Sequence, residues 1–325
     1  MPAKTTKVHA PTLQPTLCTL PSWLIAARKN LMDTGFYLAD NSVHDNVHWV
    51  RDGRADRLAV KPAIPVDDVN GKADDSSAKY TSPPPDKIEL AKLCAIVHIS
   101  NHNFWLTADA GYRKPTSVWR ELAAVKPSCT VEEPDMQPVR GDFKPTIDNL
   151  RKLQDLIATP GFTARKGFML SGGISGQQLK VRHVLFEPLG NGELESCQGY
   201  EPEDSDGSTD AAEEAPGGST EDDNNELAVF SIENWPTASD AAQAELEAIK
   251  GTHWVIPIPT YNVEGKLIKP DAYRHCLEGA LVELYFNLVH WSIAAKNGTL
   301  ANDSWLLLAP PVWLARQGKG NSVSL

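Results

Sequence analysis

The sequence predicts an α+β fold with a mainly antiparallel sheet or a partly closed barrel, a few short helices and a disordered acidic insert. Strand and helix patterns are mixed along the chain, without the regular βαβ alternation of a parallel sheet. The longest apolar strand pattern, Ala280–Ile293, lies near the C-terminal end. Between Arg182 and Lys250 the chain has no lysine or arginine at all, and this separates two ordered parts.

The N-terminal part, residues 21–189, follows an arm rich in threonine and proline, residues 1–20, that is predicted to be disordered. Apolar spacing predicts helices at Ser22–Asp33, Ser117–Val125 and Thr146–Ala158, the first with Ser22 as N-cap and Gly35 as its end. Strands are predicted at Phe36–Ala39, Val43–Val50, Leu90–Ser100, Asn103–Thr107, Gly167–Leu170 and Leu179–Glu187. Residues 62–86 are predicted to form a long polar loop.

Residues 190–226 form the acidic insert and contain almost no apolar side chain. Such a segment cannot bury enough surface to offset the entropy of ordering it, so it is predicted to be disordered. The stretch without lysine or arginine carries 18 of the 42 acidic residues, and the rest of the chain carries all 31 basic and 24 acidic residues, a formal charge of +7. The net charge of −11 therefore gives no argument against a polyanionic ligand.

The C-terminal part, residues 227–316, is predicted to be rich in strands and to end in a short tail, residues 317–325. Strands are predicted at Leu227–Ile232, His253–Ile258, Ala280–Ile293 and Ser304–Ala309, and helices at Ser239–Lys250 and Asp271–Glu278. The pattern leaves open whether the insert is a loop within one fold or a linker between two small domains.

The chain has no apolar run of about 18 residues and no signal-peptide pattern at its start, so neither a membrane span nor secretion is predicted. Its five cysteines are scattered and never form a C-x-x-C pair, which is typical of reduced thiols. We therefore expect an intracellular protein, cytoplasmic or nuclear.

No motif for catalysis, a cofactor or a metal is complete. The pairs His44/His48 and His98/His102 have the spacing of the zinc motif H-E-x-x-H, but lack its glutamate and lie in strand or loop patterns. The segment SGGISG, Ser171–Gly176, fails the phosphate-loop and nucleophile-elbow patterns by one residue each and is predicted to be a tight turn. We expect no cofactor and no metal, and a non-catalytic protein rather than an enzyme.

The candidate binding residues combine aromatic and basic side chains. One face of strand Ala280–Ile293 presents Tyr285, Asn287 and Trp291, which could stack on bases as in OB-type single-strand binders, or could pack beneath a helix. Basic side chains that could contact phosphates are Arg51 and Arg54, three residues apart, and Lys180 and Arg182, which alternate on a strand.

The C-terminal part also carries a resemblance, which rests on a P-x-P-x-Y turn, a tyrosine-containing helix and a G-A-L-V strand. It is similar to uncharacterised proteins of mushroom-forming fungi over about residues 252–310, roughly a fifth of the chain, with the sequence WVIPIPTYNVEGKLIKPDAYRHCLEGALVELYFNLVHWSI. No activity is assigned to those proteins, so the resemblance implies no catalytic residue. It implies that the strand after Ser304 closes the sheet.

Three functions remain open from the sequence. The first is an intracellular binding protein without catalysis, whose ligand is single-stranded DNA or RNA. The second is a protein-interaction or structural module that recruits a basic partner through the acidic insert. The third, less expected, is a metal-dependent hydrolase that uses the histidines.

Overall fold

The structure is a computed structural model, and it describes residues 21–62, 88–115, 120–162, 164–173, 176–190, 227–294, 300–310 and 312–314. Within these ranges the α-helices are α1 (Ser22–Asp33), α2 (Phe143–Ile157), α3 (Asp240–Ile249) and α4 (Tyr273–Leu277). Short 3-10 helices lie at Asn41–Asp45, Leu122–Ala124, Val139–Asp142, Ile232–Asn234 and Pro270–Ala272. The predicted arm, most of the acidic insert and the C-terminal tail lie outside the described residues.

The strands alternate with these helices along the chain. They are β1 (Val47–Asp52), β2 (Ala55–Val60), β3 (Leu93–Ile99), β4 (Ser128–Glu132), β5 (Ala164–Gly167), β6 (Met169–Ser171), β7 (Gln177–Arg182), β8 (Phe186–Pro188), β9 (His253–Val255), β10 (Thr260–Tyr261), β11 (Leu281–Ala294), β12 (Leu300–Leu308) and β13 (Val312–Leu314). This mixture of short helices and mainly antiparallel strands confirms the predicted α+β class.

Five strands form a closed barrel in the order β3-β4-β7-β12-β11, and β11 pairs with β3 to complete the ring. The pair β7–β12 is parallel, and the other four pairs are antiparallel. Helix α3 lies in sequence between the third and fourth barrel strands, β7 and β11. This strand order and this helix position are the topology of the OB-fold, a five-stranded Greek-key barrel. Strands from both sides of the acidic insert contribute to it.

The side chains that fill the barrel interior are alternate residues of the barrel strands. On β11 the inward side chains are buried apolar residues: Val282, Leu284, Phe286 and Leu288. Cys129 and Val131 of β4 and Leu179 and Val181 of β7 fill the same core. Because successive side chains on a strand point to opposite faces, the residues between them lie on the outer face of the barrel. That outer face carries the candidate site.

Several predicted elements are confirmed closely. Helix α1 has the predicted bounds, although its N-cap is Pro21 and not Ser22. Helix α3 is capped as its sequence suggests, because the Ser239 hydroxyl accepts a hydrogen bond from the Ala242 amide at 3.2 Å. Strand β11 lies within one residue of its predicted bounds, whereas β12 begins at Leu300, four residues before the predicted start at Ser304, and pairs with β11 in the barrel.

Other predicted elements are wrong in detail. The strand predicted at Leu227–Ile232 is a helical turn that leads into a 3-10 helix, because Ile232 and Trp235 are buried three residues apart, which is a helical spacing. Asn103–Thr107 is loop instead of strand, and Phe36–Ala39 contributes one bridge, from Tyr37 to Cys94. Strands β2 and β4 lie where the sequence pattern predicts no strand.

Candidate functional site

The outer face of the barrel has a cleft of about 550 Å³ over β4, β7 and β12, which we call the Trp305 cleft. It is lined by Trp105, Ala110, Val125, Lys126, Ser128, Lys180, Arg182 and Trp305. OB-folds generally bind oligonucleotides and oligosaccharides on the face of their second and third strands, flanked by the loop between the first and second. In this chain those elements are β4, β7 and the loop between β3 and β4, so the cleft lies in that position.

Strand register explains why these side chains meet. Lys180 pairs with Thr130 of β4, and Arg182 pairs with Ser128. Arg182 also pairs with Leu307 of β12, so that Trp305, two residues earlier, lies on the same face. Val181 between the two basic residues points into the core. The alternation of Lys180 and Arg182 that the sequence shows therefore does place both cations on one outward surface.

Two cationic side chains lie against the Trp305 ring. The guanidinium carbon of Arg182 lies 4.3 Å from the centroid of the Trp305 ring, and Nζ of Lys126 lies 5.7 Å from it. These are cation–π distances, and such contacts hold a long flexible side chain in one orientation. Trp291 of β11 meets Trp305 edge to face, with ring centroids 5.1 Å apart. The result is an aromatic and cationic surface that is continuous from β7 to β11.

Among the described residues, the three cations of the cleft form no ion pair, although the Asp303 carboxylate acts on Arg182 from a longer distance. None of Lys126, Lys180 and Arg182 forms an ion pair with another described residue. Nη1 of Arg182 is buried and has no hydrogen-bond partner in the described structure. A buried charged group that lacks a hydrogen bond is costly, so this atom marks a place where a ligand acceptor would stabilise the protein.

Burial and mutual repulsion disfavour these charges. Burial lowers the pKa of Lys126 and of Lys180, and the nearby positive charge of Arg182 lowers each pKa further. Burial also lowers the pKa of Arg182, an effect that Asp303 opposes. The Asp303 carboxylate accepts a hydrogen bond from Nε1 of Trp305 at 3.2 Å, so it also fixes the indole. An anion in the cleft would oppose all three pKa shifts.

The predicted binding residues of β11 divide between two environments. Trp291 reaches the edge of the Trp305 cleft, as described above. Tyr285 packs against the apolar cluster under α1, and burial raises its pKa to about 12. The Asn287 amide donates to the carbonyl of Ala91 at 2.9 Å. Tyr285 and Asn287 line a different cavity, of about 670 Å³, so the structure does not bring them to the same place as Trp291.

The predicted arginines lie on the β1–β2 hairpin. Arg51 donates to Asp56 at 2.9 Å and to the carbonyl of Gly53 at 3.1 Å, and Arg54 is exposed in the two-residue turn. Arg51 pairs across the sheet with Asp56, which pairs with His290, a side chain on the inner face. Arg51 therefore faces away from the side of the sheet that carries Trp305.

The structure adds residues that the sequence pattern does not select. Trp105 and Lys126 come from the loop between β3 and β4, where no periodicity indicates which face they occupy. On strand β4, Cys129 and Val131 point into the core, whereas Ser128 and Thr130 lie on the opposite face, paired with Arg182 and Lys180. Arg57, the third hairpin arginine, pairs with Val289 and so shares the face of Trp305, but it forms an ion pair with Asp52 at 2.9 Å.

The histidine pairs do not form a metal centre within the described part of the chain, where no group of three or more His, Cys, Asp or Glu could hold an ion. Nε2 of His44 lies 3.1 Å from the side-chain oxygen of Asn149, and Nδ1 of His98 lies 3.4 Å from Glu132.

Gly172 and Gly176 lie in the turn between β6 and β7, with a backbone hydrogen bond of 3.3 Å between them. No described helix is long and apolar enough to cross a bilayer.

Comparison with known proteins gives little. No family model and no curated protein matches the chain. Among solved structures, the single-stranded DNA-binding protein of bacteriophage Enc34, in a C-terminally truncated form, aligns with 12% identity over 70% of this chain and 86% of that chain, with a TM-score of 0.32. The same phage protein in complex with ssDNA aligns with 12% identity over 71% and 88%, with a TM-score of 0.31. Likeness at this level carries no weight for the fold or the function of this chain.

Proposed function

We propose that this protein binds single-stranded nucleic acid, without catalysis, in the Trp305 cleft. The observation that carries the proposal is a group of three half-buried cations, Lys126, Lys180 and Arg182, that line one cavity with Trp305 and form no ion pair with a described residue. The proposal includes an intracellular place of action, cytoplasmic or nuclear.

The charge pattern favours a ligand with more than one anionic group. Three cations that line one cavity repel one another, and each has lost part of its hydration. A phosphate backbone supplies acceptors at regular spacing, and charge-assisted hydrogen bonds to phosphate are about twice as strong as neutral ones. Arg182, with its unpartnered Nη1 atom, is the side chain best placed to receive such an oxygen.

The aromatic rings favour an unpaired strand over a duplex. Trp105, Trp291 and Trp305 all lie on or beside the cleft, and Trp105 is 49% exposed. Base-on-indole stacking needs an open base face, which a duplex hides within its own stack. The carboxylates of an acidic peptide would satisfy the cations, but acidic side chains carry no ring that could stack on the indoles, whereas every nucleotide pairs a phosphate with a base.

The test is equilibrium binding of a fluorescently labelled oligodeoxythymidine, measured by anisotropy as salt is raised. Each phosphate contact on a single strand contributes about −0.7 to the slope of log K against log salt, so three cations predict a slope of about −2. A duplex of equal length should bind more weakly at every salt concentration. Lys144→Gln is a matched control, because Lys144 is exposed and already paired with Asp148.

The acidic insert needs a separate arm of the same experiment. A variant that lacks residues 191–226 loses 13 acidic and no basic residues, so its formal net charge changes from −11 to +2. If neither the full chain nor this variant binds the oligonucleotide at low salt, the proposed function is wrong. Tighter binding by the deletion variant would support the proposal and would show that the insert competes with the ligand.

A further inference from the structure

We infer that Trp105 and Arg182 form the two walls of a slot for one unpaired base, with Ser128 as its floor. This inference rests on the proposed function and assigns the base-recognising part of the same cleft. It makes Trp105 the residue that distinguishes a base-bearing strand from a bare phosphate chain.

Backbone hydrogen bonds fix the positions of the walls. The amide of Trp105 donates to the carbonyl of Ser128 at 2.7 Å, and the amide of Ser128 donates back to Trp105 at 3.3 Å. Trp105 lies in a loop, but two residues that exchange both backbone hydrogen bonds lie directly opposite each other with their side chains on the same side, as in an antiparallel pair. Ser128 pairs in turn with Arg182. Trp105, Ser128 and Arg182 therefore form one row on the outer face.

The spacing of this row suits one aromatic ring. Cross-strand Cα atoms lie about 4.5–5.5 Å apart, so those of Trp105 and Arg182 are roughly 10 Å apart. A base packed on both faces needs about 7–8 Å between its neighbours, twice the usual contact distance. The residue between the walls is a serine, whose short side chain leaves that gap open. A larger side chain at position 128 would fill it.

The backbone at Gly111 lies close to one side of the Trp105 ring, which forms the first wall of the slot. Gly111 has a φ of +70°, and a Cβ at this position would lie 2.8 Å from Cε3 and Cζ3 of the Trp105 ring. Only glycine allows the backbone to come so close to the ring. The indole is thus supported on one side by the loop, while 49% of its surface remains exposed.

The opposite wall is the guanidinium of Arg182, which is already stacked on Trp305. Its plane is held by that contact, so its other side can pack on a base, and its free Nη1 can reach an adjacent phosphate. Lys126 lies in the same cavity and can contact the next phosphate. The order across the cleft would be Trp105, base, Arg182 and Trp305.

The test compares oligodeoxythymidine with a fully abasic oligonucleotide of the same length, which keeps the phosphates and removes the bases. Wild-type protein should prefer the base-bearing strand. Trp105→Ala should weaken binding to oligodeoxythymidine by at least about fivefold, since stacking contributes about 1–3 kcal/mol per base. The same variant should leave binding to the abasic strand within about twofold. Trp105→Phe should restore most of the preference.

Gly111→Ala gives an independent approach, because the added methyl group must displace the Trp105 ring. Gly161→Ala is its matched control, since Gly161 has a φ of +84° but nothing within 4 Å of the added Cβ. Only Gly111→Ala should reduce the preference for the base-bearing strand. Equal weakening of both probes by Trp105→Ala, or no effect on either, would overturn the slot while the proposed function stands. Failure of wild-type protein to bind either probe would overturn both.

Discussion

The Trp305 cleft and the β1–β2 hairpin each carry three cationic side chains, but the two groups differ in whether the cations form ion pairs. On the hairpin, Arg51 and Arg57 are each matched by an aspartate at 2.9 Å. In the cleft, Lys126, Lys180 and Arg182 form no ion pair with a described residue and are half-buried beside Trp305. Two of the three hairpin cations are therefore paired within the fold, whereas none of the cleft cations forms an ion pair with a described residue.

This difference shows why a count of basic residues does not locate a binding site. A paired surface arginine contributes little to stability and has little net charge to offer a phosphate. Unpaired, partly buried cations disfavour the folded state, and such features are common where a protein binds something. The cleft differs from the hairpin because none of its cations forms a described ion pair, and not because it carries more charges.

The largest contrast should come from single arginine substitutions. Arg182→Gln should weaken oligodeoxythymidine binding by about 10- to 100-fold, because it removes a charge-assisted contact of about 1.5–3 kcal/mol. Arg51→Gln should change affinity by less than about twofold, since Arg51 is engaged with Asp56 and faces the other side of the sheet. Anisotropy titrations at one salt concentration measure both. An equal loss in the two variants would remove the distinction between the regions.

The salt dependence of binding should separate the regions next. The double variant Lys126→Gln/Lys180→Gln should reduce the slope of log K against log salt by about 1.4, or about 0.7 for each phosphate contact. The double variant Arg51→Gln/Arg54→Gln changes charge by the same amount and should leave the slope almost unchanged. Equal slopes for the two double variants would indicate a diffuse electrostatic attraction to the whole molecule.

Alkaline pH should weaken binding through the cleft lysines. Burial and Arg182 lower the pKa of Lys126 and of Lys180 in the free protein, and a bound phosphate would raise both. Affinity should therefore be constant at low pH and should fall as the pH rises through the lowered values, by about two- to fivefold for each lysine that becomes neutral. The Lys126→Arg/Lys180→Arg variant keeps its charge and should show a flat profile to about pH 10, since arginine stays protonated there. A matching decline in that variant would contradict the assignment.

The smallest expected effect is on stability. Because the pKa of Lys180 is lowered in the folded state, its charge destabilises the fold at all pH values below that pKa. Lys180→Gln should therefore increase the free energy of unfolding at neutral pH, by up to about 1 kcal/mol after allowance for solvent screening. Arg51→Gln removes a paired charge and should decrease it by a few tenths of a kcal/mol. Urea unfolding of both variants measures these two changes in the free energy of unfolding. A decrease for Lys180→Gln would contradict the prediction, because it would show that Lys180 stabilises the fold.

Much of the barrel is predictable from local pattern. Strand β11 has long apolar alternation, so its position follows from the sequence alone, and outside the barrel an approximate apolar stripe with Gly35 as its end predicts the helix Ser22–Asp33. Strands β2 and β4 are short and depend on their partners for stability, and short strands of that kind leave a weak pattern. The class of fold is therefore predictable from the sequence, but the order of strands around the barrel is not.

The candidate site is less predictable, because its residues come together through the register between strands that are distant in sequence. Lys180 and Arg182 are found through their alternation on one strand, but Trp105 joins them only through its pairing with Ser128. Tyr285 and Trp291 lie on the same face of β11, yet Tyr285 packs against the cluster under α1 and lines a separate cavity, whereas Trp291 meets Trp305. Elements that are distant in sequence determine which part of a strand stays exposed, so the local sequence pattern does not predict it.

Photochemical cross-linking tests the central claim most directly. An oligonucleotide that carries 4-thiothymidine at every position is bound to the full-length protein, irradiated and mapped by peptide mass spectrometry. We expect cross-links at Trp105 and Trp305 and in the peptide that contains Lys180 and Arg182. Cross-links confined to the β1–β2 hairpin, residues 47–60, or to Tyr285 would contradict the account, because they would place the strand on a surface other than the Trp305 cleft.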